Sequence, residues 1–124
     1  MGSVAKRTAC VVEDEPITRL DAVMLLEEAG FEVRDFAVVE HAIAFLESTA
    51  HVVIFVFTDV HTPGELDGIH LAHLARDRWP WIKIVITSGT VTEIDDRIPP
   101  GSTFLRKPWR HAEVLAHAKT ALRH

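Results

Sequence analysis

The sequence predicts an α/β fold in which a parallel β-sheet is covered by helices on both faces. Short apolar runs alternate with stretches whose apolar residues recur every three or four positions, the pattern of strands alternating with amphipathic helices. The run over residues 52–58 is continuous and β-branched or aromatic, as in a central parallel strand buried on both faces. With 124 residues, 48% of them hydrophobic, we expect one domain over residues 1–124 with its core at about 8–122.

The first strand and the first helix are predicted near the amino terminus. Thr8–Val12 is a short apolar run that ends in acidic residues, which indicates a buried strand. Pro16 suits the first turn of the following helix, where its missing N–H costs nothing. Apolar residues then recur at steps of three and four and so share one helix face: Ile17, Leu20 and Met24. Gly30 predicts the end of this helix.

A second strand and a second helix follow. Residues 31–36 alternate weakly between apolar and charged side chains, which is typical of a half-exposed strand. The second helix is predicted from the spacing of Val39, Ile43 and Leu46. The buried central strand over residues 52–58 comes next.

The second half of the chain repeats this alternation. A third helix, with Leu71 and Leu74 pointing inward, begins after two turn dipeptides and is closed by Trp79-Pro80. Residues 82–87 form another buried strand and residues 103–105 a brief last one. The final helix carries an apolar stripe of Val114, Ala118 and Ala121.

The fourth helix is the weakest element of the pattern. Its helical potential is confined to about residues 92–98, before Pro99-Pro100 ends it. We therefore expect this helix to be short or absent, and the overall order to be βαβαβαβ(α)βα.

Composition excludes several classes of protein. The net charge of −5 is spread along the chain and argues against a nucleic-acid surface, which needs a basic stripe. The longest apolar run is far too short to span a membrane, and Glu13-Asp14-Glu15 interrupts the first apolar stretch too early for a secretory signal. The single Cys10 fits a reducing compartment. We expect a cytoplasmic protein with no nucleic-acid or membrane partner.

Polar side chains follow four of the predicted strands at their carboxyl ends. The first strand delivers Glu13 and Asp14, and the third delivers Asp59. The fourth ends in two hydroxyl residues, Thr87-Ser88, and Lys107 follows the fifth. Ligands of an open parallel sheet bind beyond this edge, so these groups predict a binding site there.

The chemistry of such a cluster is specific. Neighbouring carboxylates repel, and protons or a hard divalent cation relieve the repulsion. Oxygen ligands with open water positions suit Mg²⁺, a usual partner of a transferring phosphoryl group. A carboxylate nucleophile can then form an aspartyl phosphate, while Lys107 and a hydroxyl bind phosphoryl oxygens.

Four segments carry a resemblance to a known family. They are Val11-Val12-Glu13-Asp14-Glu15-Pro16, Thr58-Asp59-Val60-His61-Thr62-Pro63-Gly64 with Asp67-Gly68, Ile86-Thr87-Ser88-Gly89, and Phe104-Leu105-Arg106-Lys107-Pro108. From about residue 8 to residue 122 the chain resembles the CheY-like receiver domain of two-component response regulators. The resemblance implies a flavodoxin-like (βα)5 doubly wound fold with strand order 2-1-3-4-5. It also implies phosphorelay signalling, in which a sensor histidine kinase or a histidine phosphotransfer protein supplies the phosphoryl group.

The resemblance further implies a Mg²⁺ site around the phosphoacceptor. Asp59 matches the phosphoacceptor and is also a metal ligand. Asp14 matches a direct Mg²⁺ ligand, and Glu13 one that acts through water. His61 matches the position whose backbone carbonyl binds the metal.

Other matching positions imply a switch that responds to the phosphoryl group. Lys107 matches the phosphoryl-binding lysine. Ser88 matches the hydroxyl that follows the phosphoryl group, with Thr87 as the alternative. Phe104 matches an aromatic residue that turns inward on activation.

The sequence also departs from the family pattern. The loop after Asp59 is one residue longer than the commonest form, and Thr62 stands where Met is frequent. The degenerate fourth helix affects a face that receivers use for partners, and receivers often form homodimers through the last strand and its neighbouring helices. The downstream target is not identified by the sequence.

Three other functions compete with a phosphorylation switch. Because the chain ends at His124, we expect either a stand-alone receiver that acts by protein contact or one excised from a longer protein. A phosphate sink and a receiver-like adaptor that is never phosphorylated remain alternatives. An aspartyl-nucleophile phosphohydrolase is disfavoured, because His61 stands where a second Asp is needed. We therefore expect a phosphoacceptor, not an enzyme acting on external substrates.

Overall fold

The computed structural model describes residues 7–89 and 97–123. The elements, in chain order, are β1 (Thr8–Val12), α1 (Pro16–Glu28), β2 (Glu32–Phe36), α2 (Val39–Thr49), a 3-10 turn (Ala50–Val52), β3 (Val53–Asp59), α3 (Gly68–Arg78), β4 (Lys83–Ser88), β5 (Thr103–Arg106) and α4 (His111–Leu122).

The strands form one five-stranded parallel sheet in the order β2-β1-β3-β4-β5. β1 and β3, at the centre, are buried almost throughout. β2 lies at an edge and is mostly exposed, as its weak alternation predicts. The predicted α/β fold and the order 2-1-3-4-5 are therefore confirmed.

Two apolar layers cover the sheet, one on each face. α2 and α3 pack on one face, over side chains that include Cys10, Val56 and Ile86. α1 and α4 pack on the other, over side chains that include Val11 and Phe55. Successive residues of a strand point to opposite faces of the sheet, so each strand residue can be assigned to one of these two layers.

The helix α1 does not bury the face on which the sequence pattern places its regularly spaced apolar residues. Ile17, Leu20 and Met24 do share a face, but 78%, 58% and 53% of their surfaces are exposed. The core instead takes Ala22, Leu25 and Leu26. Helical periodicity identifies a shared face, but it does not say whether that face meets the sheet.

The predicted fourth helix falls mainly on residues 90–96, which lie outside the described residues. Arg97 and Ile98, at its predicted end, lie in a turn that leads to β5. In the part of the chain that the structure describes, no helix combines the length and the apolar character needed to cross a bilayer.

Candidate functional site

Glu13 follows β1 and is held in place by backbone contacts. Its N–H donates to the carbonyl of Phe36 at 2.9 Å, and its Oε2 accepts from the N–H of Glu15 at 2.9 Å. The guanidinium of Arg19 donates to the Glu13 carbonyl at 3.0 Å. Glu13 is buried, whereas the neighbouring Asp14 is exposed. One carboxylate therefore faces the protein interior and the next faces solvent.

Asp59 is the last residue of β3 and is buried with 7% of its surface exposed. In the sheet it pairs with Thr87 of β4, and the N–H of Val60 donates to the Thr87 carbonyl at 2.9 Å. The N–H of His61 donates to Asp59 Oδ1 at 3.2 Å. The Asp59 carboxylate therefore lies at the carboxyl edge of the sheet, with the N–H of His61 beside it.

Gly68 begins α3 in close contact with the Asp59 backbone. A Cβ at this position would lie 2.2 Å from the Asp59 carbonyl oxygen. The Gly68 N–H donates to the Val60 carbonyl at 2.9 Å. Only glycine lets the start of α3 approach the end of β3 this closely, so Gly68 helps to set the position of Asp59.

Lys107 contacts both Glu13, which follows β1, and Asp59, which ends β3. Its Nζ donates to Glu13 Oε1 at 2.6 Å and to Asp59 Oδ2 at 2.8 Å, and its N–H donates to the Ser88 carbonyl at 2.9 Å. Partial burial alone would lower the pKa of Lys107, but its hydrogen bonds to Asp59 and Glu13 and their charges raise the pKa above its ordinary value. The ammonium is therefore protonated at neutral pH.

The carboxylates of Glu13, Asp14 and Asp59 each offer an oxygen within 4.8 Å of the others. An all-oxygen donor set with one exposed member leaves room for water ligands, which fits Mg²⁺. Lys107 supplies only one positive charge against these three negative charges. The electrostatics therefore favour a bound cation.

The strand register separates the two candidate hydroxyls. Thr87 pairs with Asp59, and alternation places it on the face of β4 that Val85 shares with Phe57. Ser88 is one residue further and belongs to the opposite face. Thr87 Oγ1 is buried and has no hydrogen-bond partner within residues 7–89 and 97–123. The register thus places Thr87, the alternative hydroxyl of the sequence analysis, on the face of Asp59, and Ser88 on the face that Phe104 occupies. Which hydroxyl meets a phosphoryl group stays a prediction.

Two aromatic residues border the edge. Phe104 of β5 is half-buried, pairs with Ile86 and packs on the α2–α3 side of the sheet. Trp109 packs edge-on against Phe57, with ring centroids 5.3 Å apart. Phe104 therefore lies on the face of the sheet opposite Phe57 and Trp109.

An open cavity of about 610 Å³ adjoins the site on the α1 side. Its walls include the exposed apolar residues Ile17, Leu20 and Met24, together with Lys107 and Trp109. Lys107 thus contacts the Asp59 carboxylate and also borders an apolar surface.

Sequence reasoning missed two residues that organise the edge. Arg19 of α1 holds the Glu13 carbonyl and pairs with Asp35 at 3.1 Å. Glu40 of α2 accepts two backbone hydrogen bonds from the loop after Asp59. Both are ordinary charged residues on predicted helices, and no spacing in the sequence connects them to the strand ends.

Comparisons with known proteins agree with this geometry. The model of the family described as "Response regulator receiver domain" matches residues 9–119. A crystal structure of a response regulator receiver protein from Sinorhizobium medicae WSM419 superposes with a TM-score of 0.89 at 31% identity, covering 98% of each chain.

Two curated relatives are 30% identical to the chain. One is "Sensor kinase CckA" of Brucella abortus (strain 2308), matched over 93% of this chain and 12% of its own length. The other is "Transcriptional regulatory protein AruR" of Pseudomonas aeruginosa (strain PAO1), matched over 91% of this chain and 48% of its own length. The chain thus spans less than half the length of these relatives.

The matched segment runs from β1 into α4 and includes the strand-end residues described above: Glu13, Asp14, Asp59, Thr87, Ser88 and Lys107. The chain belongs to the response regulator receiver domain family of two-component signalling.

Proposed function

We propose that the domain accepts a phosphoryl group on Asp59 from a histidine kinase or a histidine phosphotransfer protein. The observation that carries this proposal is the contact of one ammonium, Lys107 Nζ, with both Asp59 (2.8 Å) and Glu13 (2.6 Å), beside the exposed carboxylate of Asp14. An Asp59 oxygen forms the new P–O bond as the P–N bond of the donor phosphohistidine breaks. The imidazole leaves and takes up a proton.

Mg²⁺ would be held by Asp14, Asp59 and the backbone carbonyl of His61, with Glu13 acting through water. When bound, it supplies positive charge that offsets the charge of the phosphoryl oxygens. Lys107 keeps its proton at neutral pH and can move from the Asp59 carboxylate to a phosphoryl oxygen.

The hydroxyl that binds the phosphoryl group is Thr87 in this proposal. Its Oγ1 is buried beside the strand partner of Asp59, without a hydrogen-bond partner among the described residues. A phosphoryl oxygen would supply that partner. Phe104 lies on the opposite face of β4 from Thr87, so in this proposal a movement of the β4 backbone carries the change across the sheet. Phe104 then repacks, and this repacking changes the protein's contacts.

The apolar face of α1 is proposed as the surface that the phosphodonor protein covers. A donor must place its histidine beside Asp59, and Lys107 contacts Asp59 while lining the same cavity as Leu20 and Met24. The donor protein therefore buries the exposed side chains of α1 as it reaches the acceptor. Burying large exposed apolar groups stabilises such a complex.

In this proposal the domain works in the cytoplasm as a signalling phosphoacceptor and turns over no external substrate. A phosphate sink remains the second candidate. Comparing the lifetime of the phosphoryl group with the rate of loading by the kinase separates a sink from a signal.

The direct test incubates the protein with Mg²⁺ and a small acyl phosphate and then measures the intact mass. The wild-type chain should gain one phosphoryl group, and Asp59→Asn should gain none. Asp77→Asn, which changes an exposed carboxylate on α3, is the matched control and should still gain it. A gain that survives Asp59→Asn, or no gain in the wild type, contradicts the proposal.

Paired variants test the choice of hydroxyl. Thr87→Val removes the hydroxyl and keeps the shape, so we expect a shorter phosphoryl lifetime and loss of the phosphorylation-induced spectral change around Phe104. Ser88→Ala should leave both close to wild type. The reverse pattern assigns the role to Ser88.

The docking surface is tested by comparing two donors. Leu20→Ser with Met24→Ser should slow transfer from a phosphorylated histidine protein and leave labelling by the small acyl phosphate unchanged. Ala44→Ser, an exposed apolar change on α2, should slow neither reaction. Equal slowing with both donors would place the effect in the site and not in docking.

A further inference from the structure

Hydrogen bonds hold the loop between β3 and α3 in two places: at its base, where its two ends meet, and at its far side, in the middle of the loop. At the base, the N–H of Gly68 donates to the carbonyl of Val60 at 2.9 Å. Residues 61–67 lie between these two positions and begin with His61, whose carbonyl is the proposed metal ligand. The N–H of His61 is held by Asp59 Oδ1 at 3.2 Å, and the position of its carbonyl depends in addition on what holds the rest of the loop.

The far side of the loop is held by Glu40, in the first turn of α2. Its Oε2 accepts from the N–H of Glu65 at 2.9 Å and from the N–H of Leu66 at 3.2 Å. Among the described residues, both hydrogen bonds that join residues 62–66 to another element go to this carboxylate. Charged acceptors make stronger hydrogen bonds than neutral ones.

The loop backbone is shaped around the same carboxylate. Gly64 has a φ of +109°, and a Cβ there would lie 2.8 Å from Glu40 Oε1. The position therefore needs glycine both for its backbone conformation and for space. The N–H groups of Glu40 itself, Leu66 and Glu65 lower the pKa of the Glu40 carboxyl, so it is ionised at neutral pH.

We propose that Glu40 is a positioning residue for Mg²⁺ binding: it clamps the β3–α3 loop to α2 and so holds the His61 carbonyl beside Asp59. This inference rests on the proposed function, because it assigns a role toward the Mg²⁺ site. The clamp itself is a property of the metal-free protein, so it can be measured apart from that site.

The experiment compares Glu40→Ala, Glu40→Gln and the control Glu47→Ala, an exposed change on the same helix. Without Mg²⁺, amide hydrogen exchange at Glu65 and Leu66 should quicken roughly tenfold in Glu40→Ala, as expected when two backbone N–H groups lose their acceptor. With Mg²⁺, titration followed by amide chemical shifts should show a Kd raised roughly tenfold, the order seen for outer partners of metal ligands.

The Gln variant separates hydrogen bonding from charge. Its carbonyl oxygen can still accept from both loop N–H groups, whereas its charge near the start of α2 is lost as it is in Glu40→Ala. We expect Glu40→Gln to stay within about threefold of wild type in exchange and in Mg²⁺ affinity. Glu47→Ala should match the wild type in both.

Several outcomes would overturn the inference. Unchanged exchange at Glu65 and Leu66 in Glu40→Ala refutes the clamp, and so does faster exchange spread evenly over all of α2. Faster loop exchange with an unchanged Mg²⁺ affinity refutes the positioning role. If the wild-type chain fails to bind Mg²⁺, both the proposed function and the positioning role are refuted. The exchange data still show whether Glu40 holds the loop.

Discussion

The interior of the sheet and its carboxyl edge differ in what they bury. In β3, residues 53–57 are apolar and all but Ile54 are buried, whereas Thr58 and Asp59 at the end are equally buried but polar. The same change occurs from β1 to Glu13 and from Ile86 to Thr87. Stability and chemistry are thus separated along single strands, a few residues apart.

The two regions should also differ in the sign of the stability change that a substitution causes. Removing an apolar group from the interior takes away burial and leaves a cavity, so it destabilises. Removing a negative charge from the edge relieves repulsion among three carboxylates that share one ammonium, so we expect it to stabilise the fold while it removes the proposed function. Removing an interior apolar group and removing an edge carboxylate should therefore change the free energy of unfolding in opposite directions.

The largest expected effect lies in the interior. Phe55→Ala empties a fully buried site between the sheet and α1, and we expect a loss of about 3–5 kcal/mol in the free energy of unfolding. Urea denaturation measures it. A loss below about 1 kcal/mol would show that the interior repacks and would break the contrast with the edge.

A smaller effect is expected where the two regions meet. Gly68→Ala places a methyl group against the Asp59 carbonyl, so we expect a loss of about 1–3 kcal/mol and slower phosphorylation of the protein that remains folded. Gly89→Ala is the control, since among residues 7–89 and 97–123 a Cβ there would meet only Lys107 Cβ, at an ordinary contact distance of 3.9 Å. Unimpaired phosphorylation in Gly68→Ala would show that this contact does not position Asp59.

The smallest effect concerns the cation of the edge. Lys107→Met leaves Glu13 and Asp59 without their shared ammonium, and because Lys107 is partly exposed we expect a loss of only about 1–2 kcal/mol. Added Mg²⁺ should recover part of it. Lys119→Met, at an exposed position of α4, should change little.

The pH dependence of this loss follows from the raised pKa of Lys107. Its stabilisation is complete below its ordinary pKa of 10.5 and disappears as the pH rises through the higher folded value. The stability difference between wild type and Lys107→Met should therefore be constant from neutral pH to about 9 and shrink above 10.5. A difference that shrinks below pH 9 would contradict the assigned contacts.

Much of the architecture could be predicted from the sequence. Continuous apolar runs separated by helical periodicity predict five parallel strands, and the parallel arrangement brings their carboxyl ends to one edge. The same rule predicts from the sequence alone that Glu13, Asp14, Asp59 and Lys107 meet at that edge. It works because strand ends are identified by the abrupt change from apolar to polar residues.

The remaining features depend on contacts between distant elements. Ile17, Leu20 and Met24 share a helix face whichever way α1 is turned, and only packing decides which face is buried. The choice between Thr87 and Ser88 needs the register with β3, because a shift of one residue reverses the face. The hydrogen bonds of Glu40 to a loop 25 residues away leave no periodic signal at all.

The most direct measurement compares the unfolding free energy of the wild type and of Asp59→Asn, each with and without Mg²⁺. Without Mg²⁺ we expect Asp59→Asn to be the more stable by about 1 kcal/mol, because one of three clustered negative charges is gone. At ten times its Kd, Mg²⁺ should stabilise the wild type by about 1.4 kcal/mol and the variant by much less. An equal response of both proteins to Mg²⁺, or a variant less stable than the metal-free wild type, would contradict the account.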